Sequence, residues 1–347
     1  MILKVHENYL NMNDLIIVIG ASGSIGTHLV KTLVQNNWSC VCALHHTPLP
    51  SDLAREPRVI QQYGFDILDM HSIDRLFSKF AARTHCIWNL AAPLSVASER
   101  DPSYAELVVV EGMKKVLLSM KKFGIKKICF SDSIGSFGSL SPRDECKGSW
   151  LSQNPEQDPE SVYGRQKREC RNLLTEFSSQ VEGSDTRFAV IPGVLHTSPT
   201  WGMGTTEYAL SAIECASLGK EYTCPVPLKA VLPMIYIDDL TRALVGLMEA
   251  DKHDLVEADR GYAICGFSFS ADQLFDEIKR QYRPKFKYKV VLDNACAAKF
   301  AKIWPNSLSK VEAKRDFSFE ARFGFERTVR EIFEAHQRRR QFKVGKL

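Results

Sequence analysis

Three glycines, Gly20, Gly23 and Gly26, stand between an apolar β-branched run and an apolar helical stripe, and this arrangement restricts the chain more than any other feature. Leu15–Ile19 reads as a buried strand. After the glycines, Ile25, Leu29 and Leu33 recur every four residues with Val30 and Val34 beside them, which is one apolar face of a helix. Cys40–Leu44 is a second apolar run. Strand, glycine turn, helix and strand make a βαβ unit, and continuous apolar strands belong to a parallel sheet covered on both faces. Glycine allows a tight turn and close approach of the backbone to a pyrophosphate. The helix that follows aims free N–H groups and the positive end of its dipole at the same place, so Gly20, Gly23, Ser24, Ile25 and Gly26 are candidate dinucleotide contacts. No G-K-[ST] follows, which argues against a P-loop nucleotidase.

The alternation continues to about residue 195. Strands are expected at Arg58–Gln62, Cys86–Leu90, Lys127–Ser131 and Arg187–Ile191, and helices at Ile73–Ala82, Ala105–Phe123 and Tyr163–Gln180. The pattern predicts a doubly wound parallel sheet of the Rossmann kind over residues 1–195, with ligand at the carboxyl ends of the strands. Residues 196–347 read as a smaller α+β substrate-binding lobe, with parts of 231–265 returning to the first domain. There a strand is expected at Met234–Ile237, a helix at Asp238–Ala250 capped by Asp238 or Asp239, and a strand at Tyr262–Cys265. Ser270-Ala271-Asp272-Gln273 is a capping box opening a helix to Gln281.

Composition narrows the function. With 44% apolar and 25% charged residues in 347, the chain is of ordinary globular make-up. Its apolar runs fall far short of the ~20 residues that a membrane helix needs. A net charge of +4, from 45 basic and 41 acidic residues, is too balanced for a dedicated nucleic-acid binder. The basic runs, Arg338-Arg339-Arg340 among them, read as solvated helix faces and a loose C-terminal tail. Ten cysteines occur with no C-x-x-C and no zinc-finger spacing, so no metal site is expected. So many thiols fit a reducing compartment, and Met1–Met12 shows no secretory or transit pattern, so a cytoplasmic location is expected.

Tyr163-Gly164-Arg165-Gln166-Lys167 puts a phenol and an ammonium on one helix face. A free tyrosine titrates near pH 10. A neighbouring lysine and an oxidised nicotinamide both favour the phenolate, which can then take a proton from an alcohol as its hydride leaves. Ser131-Asp132-Ser133-Ile134-Gly135-Ser136-Phe137-Gly138 supplies hydroxyls at a strand end. Ser133, five residues before Gly138, is the one chosen to bridge substrate oxygen and tyrosine. Dinucleotide folds usually place an acid at the end of the second strand for the ribose 2′-hydroxyl. Here that place falls on Leu44, with His45 next; the acid is missing, and His45 could instead face a 2′-phosphate.

On these segments, with Phe65–Asp69 and Leu90-Ala91-Ala92, the chain resembles the extended short-chain dehydrogenase/reductase superfamily, also called NAD-dependent epimerases/dehydratases. Within it, the chain looks most like the short-chain type of L-threonine 3-dehydrogenase. The matching segments are Pro192-Gly193-Val194, Gly204–Ala209, Leu232–Asp239, Gly266–Ser270 and Ile303–Leu308. The resemblance implies NAD-linked oxidation of L-threonine at its β-carbon to 2-amino-3-oxobutyrate. It makes Tyr163 the general base, Lys167 its tuner and ribose anchor, and Ser133 the binder of the substrate hydroxyl. It sets Asp66 and Ile67 against adenine and Leu90, Ala91, Ala92 and Pro192 along the dinucleotide. Ser95, Thr205 and Thr206 would hold the amino-acid head group and Trp304 would wall the pocket. Relatives usually pair as dimers through the helix bearing Tyr163 and its neighbour, so a homodimer is expected. Three departures stand out: the missing acid, which leaves NADP open beside NAD; Val109 in place of a relay asparagine; and a bulky Trp201-Gly202-Met203-Gly204 before the threonines. An NADP-linked carbonyl reductase, a nucleotide-sugar epimerase and a non-catalytic dinucleotide binder remain the alternatives.

Overall fold

The computed structural model describes residues 14–156, 158–198, 204–256, 261–292 and 295–344. Its strands are β1 (Leu15–Ile19), β2 (Ser39–Leu44), β3 (Val59–Tyr63), β4 (Thr84–Asn89), β5 (Lys127–Ser133), β6 (Asp185–Ile191), β7 (Gly193–Leu195), β8 (Tyr222–Cys224), β9 (Val231–Tyr236), β10 (Gly261–Ala263), β11 (Phe267–Ser270) and β12 (Tyr288–Val290). Seven of them form one sheet in the order β3-β2-β1-β4-β5-β6-β10. Every pairing in it is parallel. This is a Rossmann sheet, and its order reverses between β1 and β4, the crevice where doubly wound folds bind ligand. The strands read as unbroken apolar runs because helices cover both faces; β1 is buried at all five positions.

The expected elements form, with shifts of one to three residues at most ends. One helical stretch, Pro102–Phe123, carries a π-helical turn at Leu107–Glu111 that contains Val109. Val109 and Val110 pack into the core, whereas Tyr104, Leu107 and Leu118 on this stretch are exposed. Beyond β6 the chain builds a three-stranded sheet, β11-β9-β7, and a pair, β12-β8. The helix Ile237–Glu249 lies back on the first helix, Ser24–Gln35: the Thr32 and Thr241 hydroxyls bond at 2.8 Å, and Trp38 Nε1 donates to Glu249 at 2.6 Å. The box at Ser270 is present and opens the helix Ala271–Gln281.

Two expectations are corrected. Neither Asp238 nor Asp239 caps the helix at Ile237, whose cap position is Tyr236. Asp239 turns inward, where it accepts from the backbone N–H groups of Arg322 and Phe323 at 2.8 Å each and pairs with Arg242 at 2.5 Å. Residues Arg338–Arg340 are not a loose tail; they continue the helix Phe325–Val344, where Glu334 and Arg338 pair one turn apart at 3.3 Å. No described helix is long and apolar enough to cross a membrane.

Candidate functional site

The carboxyl ends of β1, β4, β5 and β6 open into a cavity of about 470 Å³. Its glycine end is made locally. Gly20 has φ +83°, a left-handed conformation that side chains resist, and a Cβ there would stand 3.1 Å from the Ala91 nitrogen. A Cβ on Gly26 would collide with the Gly20 carbonyl oxygen. These glycines keep the turn small enough for a phosphate to approach the backbone. Ser24 opens the first helix, and its buried Oγ has no hydrogen-bond partner among the described residues. That orphan hydroxyl, with the helix N-terminus behind it, fits a dinucleotide pyrophosphate.

The floor of the cavity is set by the helix Val162–Gln180 against the end of β5. Ser161 caps the helix by accepting from Gly164 N–H at 2.9 Å. Gly164 presses so close to Gly135 that a Cβ would overlap the Gly135 carbonyl oxygen. This contact brings the Tyr163 ring over the 133–135 turn, where a Cβ on Gly135 would sit 3.1 Å from it and 3.6 Å from Ser133 Oγ. One helical turn on, Lys167 is 1% exposed. A buried ammonium must be satisfied: its Nζ donates to the Ser131 carbonyl at 2.6 Å and lies 4.5 Å from the Phe130 ring centre and 5.3 Å from that of Tyr163. Ser133, Tyr163 and Lys167 thus line one cavity with the glycine turn.

Across from them, Ser95 and Thr205 bond through their hydroxyls at 3.2 Å, and the Thr205 N–H donates to Ser95 Oγ at 3.2 Å. Thr206, Glu207 and Trp304 line the same end. Glu207 accepts from Gly204 N–H at 3.0 Å. Trp304 stacks on Phe300 with centres 5.5 Å apart, and its carbonyl accepts from Arg143. His196 also lines the cavity. Burial, with His28 nearby, holds its imidazole well below the ordinary histidine range, at about 4.

The cavity gathers Gly20, Gly23, Ser24, Ile25, Gly26, Leu90, Ala92, Ser95, Ser133, Tyr163, Lys167, Pro192, Thr205, Thr206 and Trp304 of the expected residues. Ala91 lies just behind, facing Gly20 through its backbone. His45, Asp66 and Ile67 lie outside this lining. His45 is exposed past the end of β2, its ring 3.6 Å from that of His46. Asp66 accepts from Leu68 N–H at 2.8 Å, and Ile67 packs beneath Gly112. Leu44 is fully buried, so the first accessible position at the end of β2 is His45. Val109 offers no side-chain relay, and its carbonyl accepts from the Cys170 thiol at 3.3 Å. Trp201, Gly202 and Met203 lie outside the described residues. The sequence reading passed over His196, Glu207, Asp132 and Arg171; of these only Arg171 carried a signal, one turn beyond Lys167 on the same face.

The comparisons agree with this geometry. A sequence model of the NAD dependent epimerase/dehydratase family matches residues 16–258. An uncharacterised epimerase/dehydratase of Staphylococcus haemolyticus is 28% identical over 317 residues, covering 89% of this chain and 93% of that protein. A monomeric L-threonine 3-dehydrogenase from a metagenome, in its apo form, superposes with a TM-score of 0.81 at 27% identity, over 93% of this chain and 99% of that one. The holo form of a GalE-like L-threonine dehydrogenase from Cupriavidus necator gives 0.80 at 25% identity, over 92% and 99%. With a parallel seven-stranded sheet and a dinucleotide turn at its switch point, the chain belongs to the NAD-dependent epimerase/dehydratase family, the extended short-chain dehydrogenases.

Proposed function

We propose that the protein oxidises a small 2-amino-3-hydroxy acid of the L-threonine type at its β-carbon. The observation that carries this reading is the charge of the lining. Among the described lining residues the only lysine or arginine is Lys167, and its Nζ is tied to the Ser131 carbonyl. A sugar nucleotide would bring a second diphosphate to a wall with no free cation. Hydroxyls of Ser95, Thr205 and Thr206, with the Glu207 carboxylate, instead suit a small zwitterion. The solved structures that resemble the chain include several L-threonine dehydrogenases.

When bound, the nicotinamide supplies the two-electron acceptor for the hydrogen on the substrate's β-carbon. Ser133 Oγ holds the substrate hydroxyl in line, and Tyr163, as phenolate, takes the hydroxyl proton while the C–O bond becomes a carbonyl. Lys167 keeps positive charge beneath the phenol. The balance is one hydride to the cofactor and one proton to Tyr163 per alcohol oxidised. The end of β2 carries the tilted ring pair His45–His46 and no acid for a ribose 2′-hydroxyl, so the cofactor is tested in both forms.

Purified protein is mixed with L-threonine and NAD or NADP, and absorbance of the reduced nicotinamide is followed. Turnover is expected with at least one cofactor, and Tyr163→Phe should lower it by about 10²–10⁴-fold with dinucleotide affinity retained. Epimerisation of a nucleotide sugar without threonine turnover overturns the substrate; activity surviving in Tyr163→Phe overturns the base.

A further inference from the structure

Beneath the site lies a buried ion pair that the reaction above does not use. The Asp132 carboxylate is wholly buried and its partner Arg171 is 7% exposed, with Arg171 Nη1 2.5 Å from Asp132 Oδ2. The other carboxylate oxygen accepts from Ser133 N–H at 2.7 Å and from Ser136 Oγ at 2.5 Å. Asp132 therefore grips the turn that carries Ser133, and Arg171 grips Asp132 from the helix that carries Tyr163. Two more rungs join the same segments: Lys167 Nζ to the Ser131 carbonyl at 2.6 Å and Ser161 Oγ to the Gly135 carbonyl at 3.4 Å. Side chains one helical turn apart, Lys167 and Arg171, thus hold consecutive residues at the end of β5.

A buried ion pair is weak evidence for stability, since desolvation offsets most of its attraction. Here it is spent where alignment of two segments decides whether the hydroxyl and the phenol meet. We infer that Asp132 and Arg171 are positioning residues that fix Ser133 against Tyr163. This rests on the reading of Tyr163 as the base, but on no particular substrate. Lys167 lies against the Tyr163 ring, Glu99 accepts from Val162 N–H at 2.6 Å, and His196 and Glu207 line the same cavity; all are unchanged in the variants below.

The test reads kcat and KM separately, with NAD or NADP affinity followed by fluorescence titration as a control. The double variant Asp132→Asn/Arg171→Met carries no orphan charge, so it should fold and bind dinucleotide as wild type does. It should still lose about tenfold or more in kcat, on any alcohol the enzyme oxidises, with KM little changed. Arg171→Lys, which keeps the charge and loses the fork, should lose only part of kcat. Full kcat in the double variant, or a loss carried by KM or by dinucleotide affinity alone, overturns the inference. Absence of threonine turnover in wild type overturns the proposed substrate, and the kcat comparison is then made on the alcohol the enzyme does oxidise.

Discussion

The two ends of the cavity are built on opposite principles. The glycine end comes from one short stretch, Gly20–Gly26, in which each glycine packs against backbone a few residues away or at the neighbouring strand end. The head-group end is assembled from distant parts: Ser95 meets Thr205 across 110 residues, and Arg143 holds the Trp304 carbonyl across 161. Backbone packed on backbone cannot yield, so the first end accepts almost no change. Side chains meeting across loops can be replaced one at a time, so the second end is where a family on one scaffold changes its substrate.

That contrast can be broken most directly at Gly26. Gly26→Val should abolish dinucleotide binding or folding altogether, a cost of several kcal/mol because the Cβ meets backbone that cannot retreat; retained cofactor affinity by fluorescence titration would show the turn to be soft. Next in size is a pH effect at the head-group end. The His196 imidazole is held at about 4 in the fold, below the ~6.5 of an unfolded histidine, so the unfolded chain takes up the proton first. Its contribution is present in full above about pH 6.5 and is lost as pH falls towards 4, by up to about 3 kcal/mol. Urea unfolding of wild type and His196→Gln at several pH values should show the variant losing less on acidification; parallel losses would refute it.

A smaller effect is expected at the shared hydrogen bonds. Ser95→Ala or Thr205→Val should raise KM for the amino acid by about tenfold, roughly 1–2 kcal/mol, with dinucleotide affinity unchanged. The double variant should cost less than the sum, since the two hydroxyls bond each other; strict additivity would separate them. The smallest change is His45→Asp, which should move preference from NADP towards NAD by a few-fold to about tenfold in kcat/KM. No movement would remove His45 from the cofactor's ribose.

What could be read in advance follows the same division. The βαβ unit, the glycine turn and the Tyr163–Lys167 face are local patterns, set by periods of two and 3.6 residues and by turn chemistry, and they stand where they were expected. What failed depended on partners far along the chain. Asp239 looked like a cap until it met the amides of Arg322 and Phe323, 83 and 84 residues away. Asp132 is unremarkable beside two serines until Arg171 arrives across 39 residues. The count along the chain put the place of the acid on Leu44, but it could not tell that this side chain turns into the core and that His45 is the first exposed position. The Glu334–Arg338 pair was there to be read, but a run of three arginines reads as tail unless its helical spacing is weighed.

The thiols carry a practical consequence. Cys40, Cys42, Cys86, Cys129, Cys146, Cys170, Cys224 and Cys265 are free and buried, and Cys215 is free and half-buried. Burial pushes Cys42, Cys146 and Cys170 up to about 12 and raises Cys40 as well, so these four thiols are poorly reactive in the native molecule. Alkylating reagents should therefore find these four sulfurs only when the chain opens. Their labelling rate, followed by mass, becomes a built-in clock of breathing in the sheet, and a ligand that tightens the crevice should slow that clock without touching a single cysteine.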